Sequence, residues 1–208
     1  MPSLARCLTE GYCPGVWVRS AAIRPVPLYA QLSEIALGRV EDHLGGDEEL
    51  TEQRLNEMFE AFEDEQAELA EHIGRVLARS YDELAVALGY FLCLAVWQAF
   101  RSEFPAKLQP IDALAIRSVE EALALDEQLR GEDPTEALDS DDVVALEQPH
   151  VMSFVHEHID AALEVHAATV DVDDVHAIYK LLLVEVLALS YAVAPPAQDV
   201  AAMSEMYA

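Results

Sequence analysis

Positive charge is what this chain has least of. Lys107 and Lys180 are its only lysines, and lysine and arginine together number 12 against 39 aspartates and glutamates, for a formal net charge of -27. Nucleic-acid phosphates and anionic lipid headgroups are bound through basic side chains, so a surface this acidic speaks against direct DNA or RNA binding and against a membrane-surface role. Cysteine is scarce as well. Cys7, Cys13 and Cys93 form no CxxC pair and leave an odd count, so neither a disulfide framework nor a zinc-finger ligand set follows. Residues 1–27 carry Arg6, Glu10, Arg19 and Arg24 without the continuous apolar core of a secretory leader, and a reducing cytoplasm is the expected compartment. There is no Gly-rich phosphate loop, no Gly-x-Ser-x-Gly elbow and no P-loop, so nucleotide-dependent and serine-hydrolase chemistries are not expected.

Long apolar runs are what the chain does have. Leu84–Phe100 passes without one charged side chain, and Ile178–Ala194 carries only Lys180 and Glu185. On a helical wheel Leu84, Leu88, Phe91, Leu92 and Ala95 form one face of the first run. Val86, Tyr90, Cys93 and Trp97 form the other, so the helix is apolar all round. Such a helix is a bundle core or a membrane span. A span needs about 20 apolar residues, whereas this run is shorter and flanked by Asp82-Glu83 and Arg101-Ser102-Glu103. Glu185 in the middle of the second run is costly in lipid. The bundle core is the expected answer, with Ser80 and Glu83 as a capping box for the first helix.

The remaining periodicities fill in an all-α, antiparallel bundle of six to seven helices. An irregular arm over residues 1–27, with four prolines and Trp17, precedes a helical-bundle domain over residues 28–194 and a short tail over 195–208. Within the bundle, Leu28–Leu44 is one helix, stopped by Gly45-Gly46. Thr51–Arg79 is the longest, with Leu55, Phe59, Phe62, Leu69, Ile73, Val76 and Leu77 as its apolar stripe and Gln66 as the one polar interruption. A helix from Asp112 to Leu129 leads into an acidic connector over residues 131–142. Gln148-Pro149 opens the next helix, with proline where its missing amide costs nothing, and Asp171 to Asp174 opens the last. A faint echo sets Glu52-Gln53, Met58-Phe59 and Asp82-Glu83-Leu84 beside Glu147-Gln148, Met152, Phe154 and Asp173-Asp174-Val175, as two related helical hairpins around a shared core would. The two apolar helices hold more apolar surface than one copy of a small bundle needs, and a homodimer is a further expectation.

Two functional readings follow. The first is a non-enzymatic, cytoplasmic adaptor or regulatory module. Its acidic stripe of Glu57, Glu60, Asp64, Glu68 and Glu71 would meet a basic protein partner, although such a stripe also serves simply as a solvated face. The second is a carboxylate-histidine metal protein using zinc or iron. Its candidate ligands are Glu68, His72, His158, His166 and Glu185, since a carboxylate among apolar neighbours must be paired, protonated or metal-bound. Against it, His158 and His166 are about 12 Å apart along a helix, and Glu68 and His72 lack the Glu-x-x-His spacing of di-iron bundles. Ordinary hydrogen-bonded histidines, with Glu185 meeting an arginine or histidine, would account for the same pattern. Cys93 reads as an inert core thiol.

Overall fold

Two aspartates set where the apolar helices begin. Asp82 stands in extended backbone with its Oδ1 accepting the Ala85 amide at 2.8 Å, and Asp171 accepts the Asp173 amide at 2.9 Å. Each thereby satisfies a donor that the first helical turn leaves unpaired. The cap of the first apolar helix is therefore Asp82, not the expected Ser80, which lies outside the described residues. The computed structural model describes residues 22–44, 48–79, 82–132, 139–166 and 171–196.

Among these residues the fold is all-helical. After a single 3-10 turn at Leu28–Ala30 come α1 (Glu34–Leu44), α2 (Glu48–Glu65), α3 (Ala67–Leu77), α4 (Glu83–Glu103), α5 (Ala113–Glu132), α6 (Ser140–Glu147), α7 (Pro149–His166) and α8 (Val172–Ala192). The only bridge among the described residues pairs Leu108 with Val193. Several helix boundaries differ from expectation: α2 begins at Glu48 rather than Thr51, and α6 opens at Ser140 inside the stretch expected as an acidic connector over residues 131–142. Leu28–Leu44 is a 3-10 turn followed by α1, and α5 continues past Gly131. The long helix expected over Thr51–Arg79 is broken at Gln66 into α2 and α3. Of the expected arm, Ile23 and Val26 are buried against the bundle; the earlier part, with Trp17, and the tail from residue 197 lie outside the described residues.

Helix α4 is the hub, touching α1, α2, α3, α7 and α8. Trp97 and Phe100 are fully buried, Trp97 with its ring 5.1 Å from Phe62. Burying an aliphatic or phenyl side chain removes it from water at a gain of roughly 1.5–3 kcal/mol, which is why uncharged helices end up at the centre. By length and composition α4 and α8 would each suit a membrane span, yet 56% and 67% of those stretches are buried inside the bundle. They also run parallel. At one end the Asp171 amide donates to Asp82 Oδ2 at 3.3 Å and the Asp82 amide to Asp174 Oδ2 at 2.9 Å. At the other, the Gln109 amide donates to the Ala192 carbonyl and the Ala194 amide to the Lys107 carbonyl. Part of the apolar surface that pointed to a second copy is thus covered by the chain's own other half.

Those halves repeat. Gln66 (φ -136°, ψ 49°) and Gln148 (φ -132°, ψ 64°) are both buried glutamines at a break between two helices. The Gln66 Oε1 accepts the Ile111 amide at 2.9 Å and its Nε2 donates to the Gln109 carbonyl at 3.1 Å, just before α5. The Gln148 Oε1 accepts the Leu32 amide at 3.0 Å and its Nε2 donates to the Ala30 carbonyl at 2.8 Å, just before α1. Each half's glutamine holds the entry of the other half. The same two-fold relation matches α1–α4 with α5–α8: α1 packs on α7 as α5 packs on α3, α4 on α1 as α8 on α5. In sequence, Ala36, Val40, Glu41 and Leu44 match Ala115, Val119, Glu120 and Leu123, while Asp82, Val86, Tyr90, Leu92 and Leu94 match Asp171, Val175, Tyr179, Leu181 and Leu183. The expected echo is present, but in a different register: the counterpart of Gln148 is Gln66, not Gln53.

Candidate functional site

The carboxylates expected to meet a partner are all on the outside. Glu57, Glu60 and Asp64 on α2 and Glu68 and Glu71 on α3 are exposed, and the Gln66 break divides the stripe. One carries a local cation: Arg75 donates to Glu71 at 3.0 Å, one turn away. Arg101 reaches Glu65 with two bonds, of 3.1 and 2.6 Å, at the end of α2.

The five metal candidates are dispersed. Glu68 is on the exposed side of α3, whereas His72 is buried on the side facing α5, its Nε2 3.7 Å from Glu120. Burial pushes the His72 pKa below its ordinary value, against the opposing pull of Glu120. His158 is half-buried between the rings of Phe154 and Phe91, with centroids 4.2 and 5.4 Å away. Its Nδ1 lies 2.9 Å from the Phe154 carbonyl and its Nε2 4.0 Å from Glu41. His166 is exposed at the end of α7. The chain's one Glu-x-x-His spacing, Glu147 to His150, falls across the Gln148 break, and Glu147 Oε2 accepts the Val26 amide at 2.8 Å instead. Among the described residues no three His, Cys, Asp or Glu side chains are grouped to hold a metal ion.

Glu185 does not meet an arginine or histidine. It is fully buried between α8 and α4, neither oxygen has a hydrogen-bond partner of good geometry, and the Cys93 thiol is the polar neighbour that acts on it. Burial raises its pKa well above the carboxylate range and raises the Cys93 thiol likewise. Ionising either group would strand a charge in hydrocarbon. The pair is therefore a neutral acid beside a neutral thiol, held in the core.

A polar constellation that periodicity alone did not single out lies around Tyr179 on α8. Its hydroxyl is 2.7 Å from His156 Nε2, with the two rings stacked at 5.4 Å. Burial and the neighbouring Asp141 hold the phenol well above its ordinary pKa. Beside it is an open cavity of about 420 Å³ floored by Leu123, Leu183 and Val184. Two ion pairs form its rim: Lys180 donates to Glu127 at 3.0 Å, lowering the Glu127 pKa, and Arg130 pairs with Asp139. The only sequence signal for it is that five of the seven histidines, His150, His156, His158, His166 and His176, fall between residues 150 and 176.

Fold and site together define an internally repeated all-α bundle with one acidic flank and one ionic recess. No protein-family model, no curated protein and no solved structure matches the chain.

Proposed function

We propose that this protein is a non-enzymatic, cytoplasmic interaction module that presents the α2–α3 flank to a basic protein partner. The observation that carries the reading is that the acidity of this flank is not demanded by the fold. The positions of the second half that correspond to Glu57, Glu60, Asp64, Glu68 and Glu71 hold Asp139, Asp142, Leu146, His150 and Ser153. A solvated face alone would tolerate that same mixture on α2–α3. Instead all five positions are acidic, with Arg75 beside Glu71 as a local cation, and this negative face on a well-packed support favours docking and speeds the encounter with a positive surface.

The test compares two variants of equal net charge. One changes Glu57, Glu60, Glu68 and Glu71 to Gln and Asp64 to Asn; the other neutralises Asp42, Glu121, Glu157, Asp160 and Glu164, which are exposed elsewhere. Binding of a lysine- and arginine-rich peptide, and of proteins crosslinked to the native chain in its own cytoplasm, is expected to fall at least tenfold in the first variant and far less in the second. It is also expected to weaken steeply with salt. Equal losses in the two variants would reduce the effect to bulk charge and end the proposal.

A further inference from the structure

The internal repeat gives the recess at Tyr179 a built-in control. Its counterpart in the first half is a cavity of about 330 Å³ lined by Phe59, Ala87, Tyr90, Phe91 and Leu94. Under the two-fold relation these residues correspond to Asp141, His176, Tyr179, Lys180 and Leu183, all of which line the second recess. The tyrosine and the leucine are kept, while two phenylalanines and an alanine become Asp, Lys and His. Behind the tyrosine, Gly74 approaches the Tyr90 hydroxyl where His156 bonds the Tyr179 hydroxyl. One scaffold thus holds an apolar hollow in one half and an ionic one in the other, so Asp141, His176 and Lys180 are there by sequence and are not demanded by the fold.

We infer that the recess around Tyr179 binds a small organic cation, an amine carried on an apolar body. Carboxylates outnumber cations around it: Glu120, Glu127, Asp139 and Asp141 against Lys180 and Arg130. Both cations already hold a carboxylate, so an anionic ligand would have to displace Glu127 or Asp139 while entering the field of a protein with net charge -27. An ammonium group instead meets a lining with two more carboxylates than cations, Asp141 among them as the hydrogen-bond neighbour of Tyr179, and the face of the Tyr179 ring, held in place by stacking on His156. The floor of Leu123, Leu183 and Val184 takes the apolar body, and the cavity is within the usual size range for small-molecule sites. The phenol stays neutral throughout the physiological range, so it serves as a positioning surface and hydrogen-bonding group without adding charge.

The test is titration of the full chain, at roughly physiological salt to screen diffuse attraction, with phenethylamine and 1,6-diaminohexane and with the shape-matched anions phenylacetate and adipate. Calorimetry and amide shifts report binding. We expect at least one amine to saturate with a Kd at or below about 1 mM and both anions to bind at least tenfold more weakly. Glu127→Gln with Asp141→Asn should weaken amine binding at least tenfold, whereas Glu63→Gln with Glu121→Gln, the same charge change elsewhere, should leave it unaltered. Should Asp141→Asn impair folding, Glu127→Gln alone, at an exposed position, is read instead, with a loss of threefold or more expected. Absence of saturable amine binding, anion binding of equal strength, or equal losses in the two variants would overturn the inference. Neutralising the α2–α3 flank should leave amine binding intact, so this inference and the docking proposal fail independently.

Discussion

Cys93 of α4 and Glu185 of α8 face one another at the dry centre of the molecule, and neither oxygen of the carboxyl has a conventional hydrogen-bond partner. A carboxyl whose folded pKa is raised keeps a proton that the unfolded chain releases above its ordinary value of 4.5. Its contribution is therefore most favourable at or below that pH and is lost as pH rises toward the folded pKa, at up to about 1.4 kcal/mol per pH unit. Cys93, also raised, adds the same sign above its ordinary value of 9.0. We expect Glu185→Met to stabilise the protein at pH 7.5 by roughly 1–3 kcal/mol and to flatten the fall in stability between pH 5 and pH 8, measured by urea unfolding across that range. A destabilised Met variant would show that the carboxyl has a partner in the fold.

His72 works in the opposite direction. Its folded pKa is lowered by burial, so the neutral form is preferred and stability is complete above the ordinary value of 6.5. It is lost as pH falls through that value toward the folded pKa, because the unfolded chain takes up the proton first. Glu120 is what limits the depression. Glu120→Gln is expected to leave stability at pH 8 nearly unchanged and to steepen the loss between pH 6.5 and pH 5.5 in thermal melts.

The two buried glutamines give a paired prediction. Gln148→Leu leaves the Leu32 amide and the Ala30 carbonyl unpaired and removes a bond to Ser190, whereas Gln66→Leu orphans the Ile111 amide and the Gln109 carbonyl. Each buried orphan costs about 1–3 kcal/mol. Both variants should lower the Tm by several degrees, Gln148→Leu more than Gln66→Leu. Loss of hydrogen-exchange protection should appear at Leu32 in the first and at Ile111 in the second.

Two helical glycines should respond with opposite sign. A Cβ at Gly38 in α1 would meet nothing within 4 Å, and Gly38→Ala is expected to stabilise by about 0.5–1 kcal/mol through helix propensity. At Gly89 a Cβ would lie 2.9 Å from Leu77 Cδ2 of α3 and 3.4 Å from both γ carbons of Ile178 of α8. Gly89→Leu should destabilise by about 2–3 kcal/mol, read as a lower urea midpoint at unchanged slope.

Salt should stabilise. With a net charge of -27 the folded state concentrates repulsion that the expanded chain relieves. The Debye length shrinks from about 10 Å at 0.1 M salt to about 3 Å at 1 M. The Tm is expected to rise by several degrees over that interval. A flat or falling Tm would show that the paired carboxylates contribute more than the unpaired ones cost.

Much of the architecture was legible in the amino-acid sequence. The two uncharged runs had to be hidden from water, and hidden among helices, because their length and uninterrupted apolar character leave no polar face to expose. The start of a helix at Gln148-Pro149 was legible too, although the short helix before it was not: Pro149 supplies no amide and disfavours helical backbone in the residue before it. Nothing comparable marks Gln66, which is followed by alanine. That residue leaves the helix because its amide is drawn inward to the unpaired backbone at Gln109 and Ile111, a demand that arises only once α5 is in place.

The exposed acidic flank was likewise read from helical period alone, and each of its five carboxylates lies on the surface. The neighbours of the buried ionisable groups were not readable. Period places Glu185 inward but does not say whether an arginine, a histidine or a thiol will stand opposite, since that depends on the direction and register of a helix distant in sequence. Because α4 and α8 lie parallel, the facing group is Cys93. The same parallel pairing creates two equivalent hollows, one beside Tyr90 and one beside Tyr179, whose different linings can be compared only after the chain has brought its two halves together.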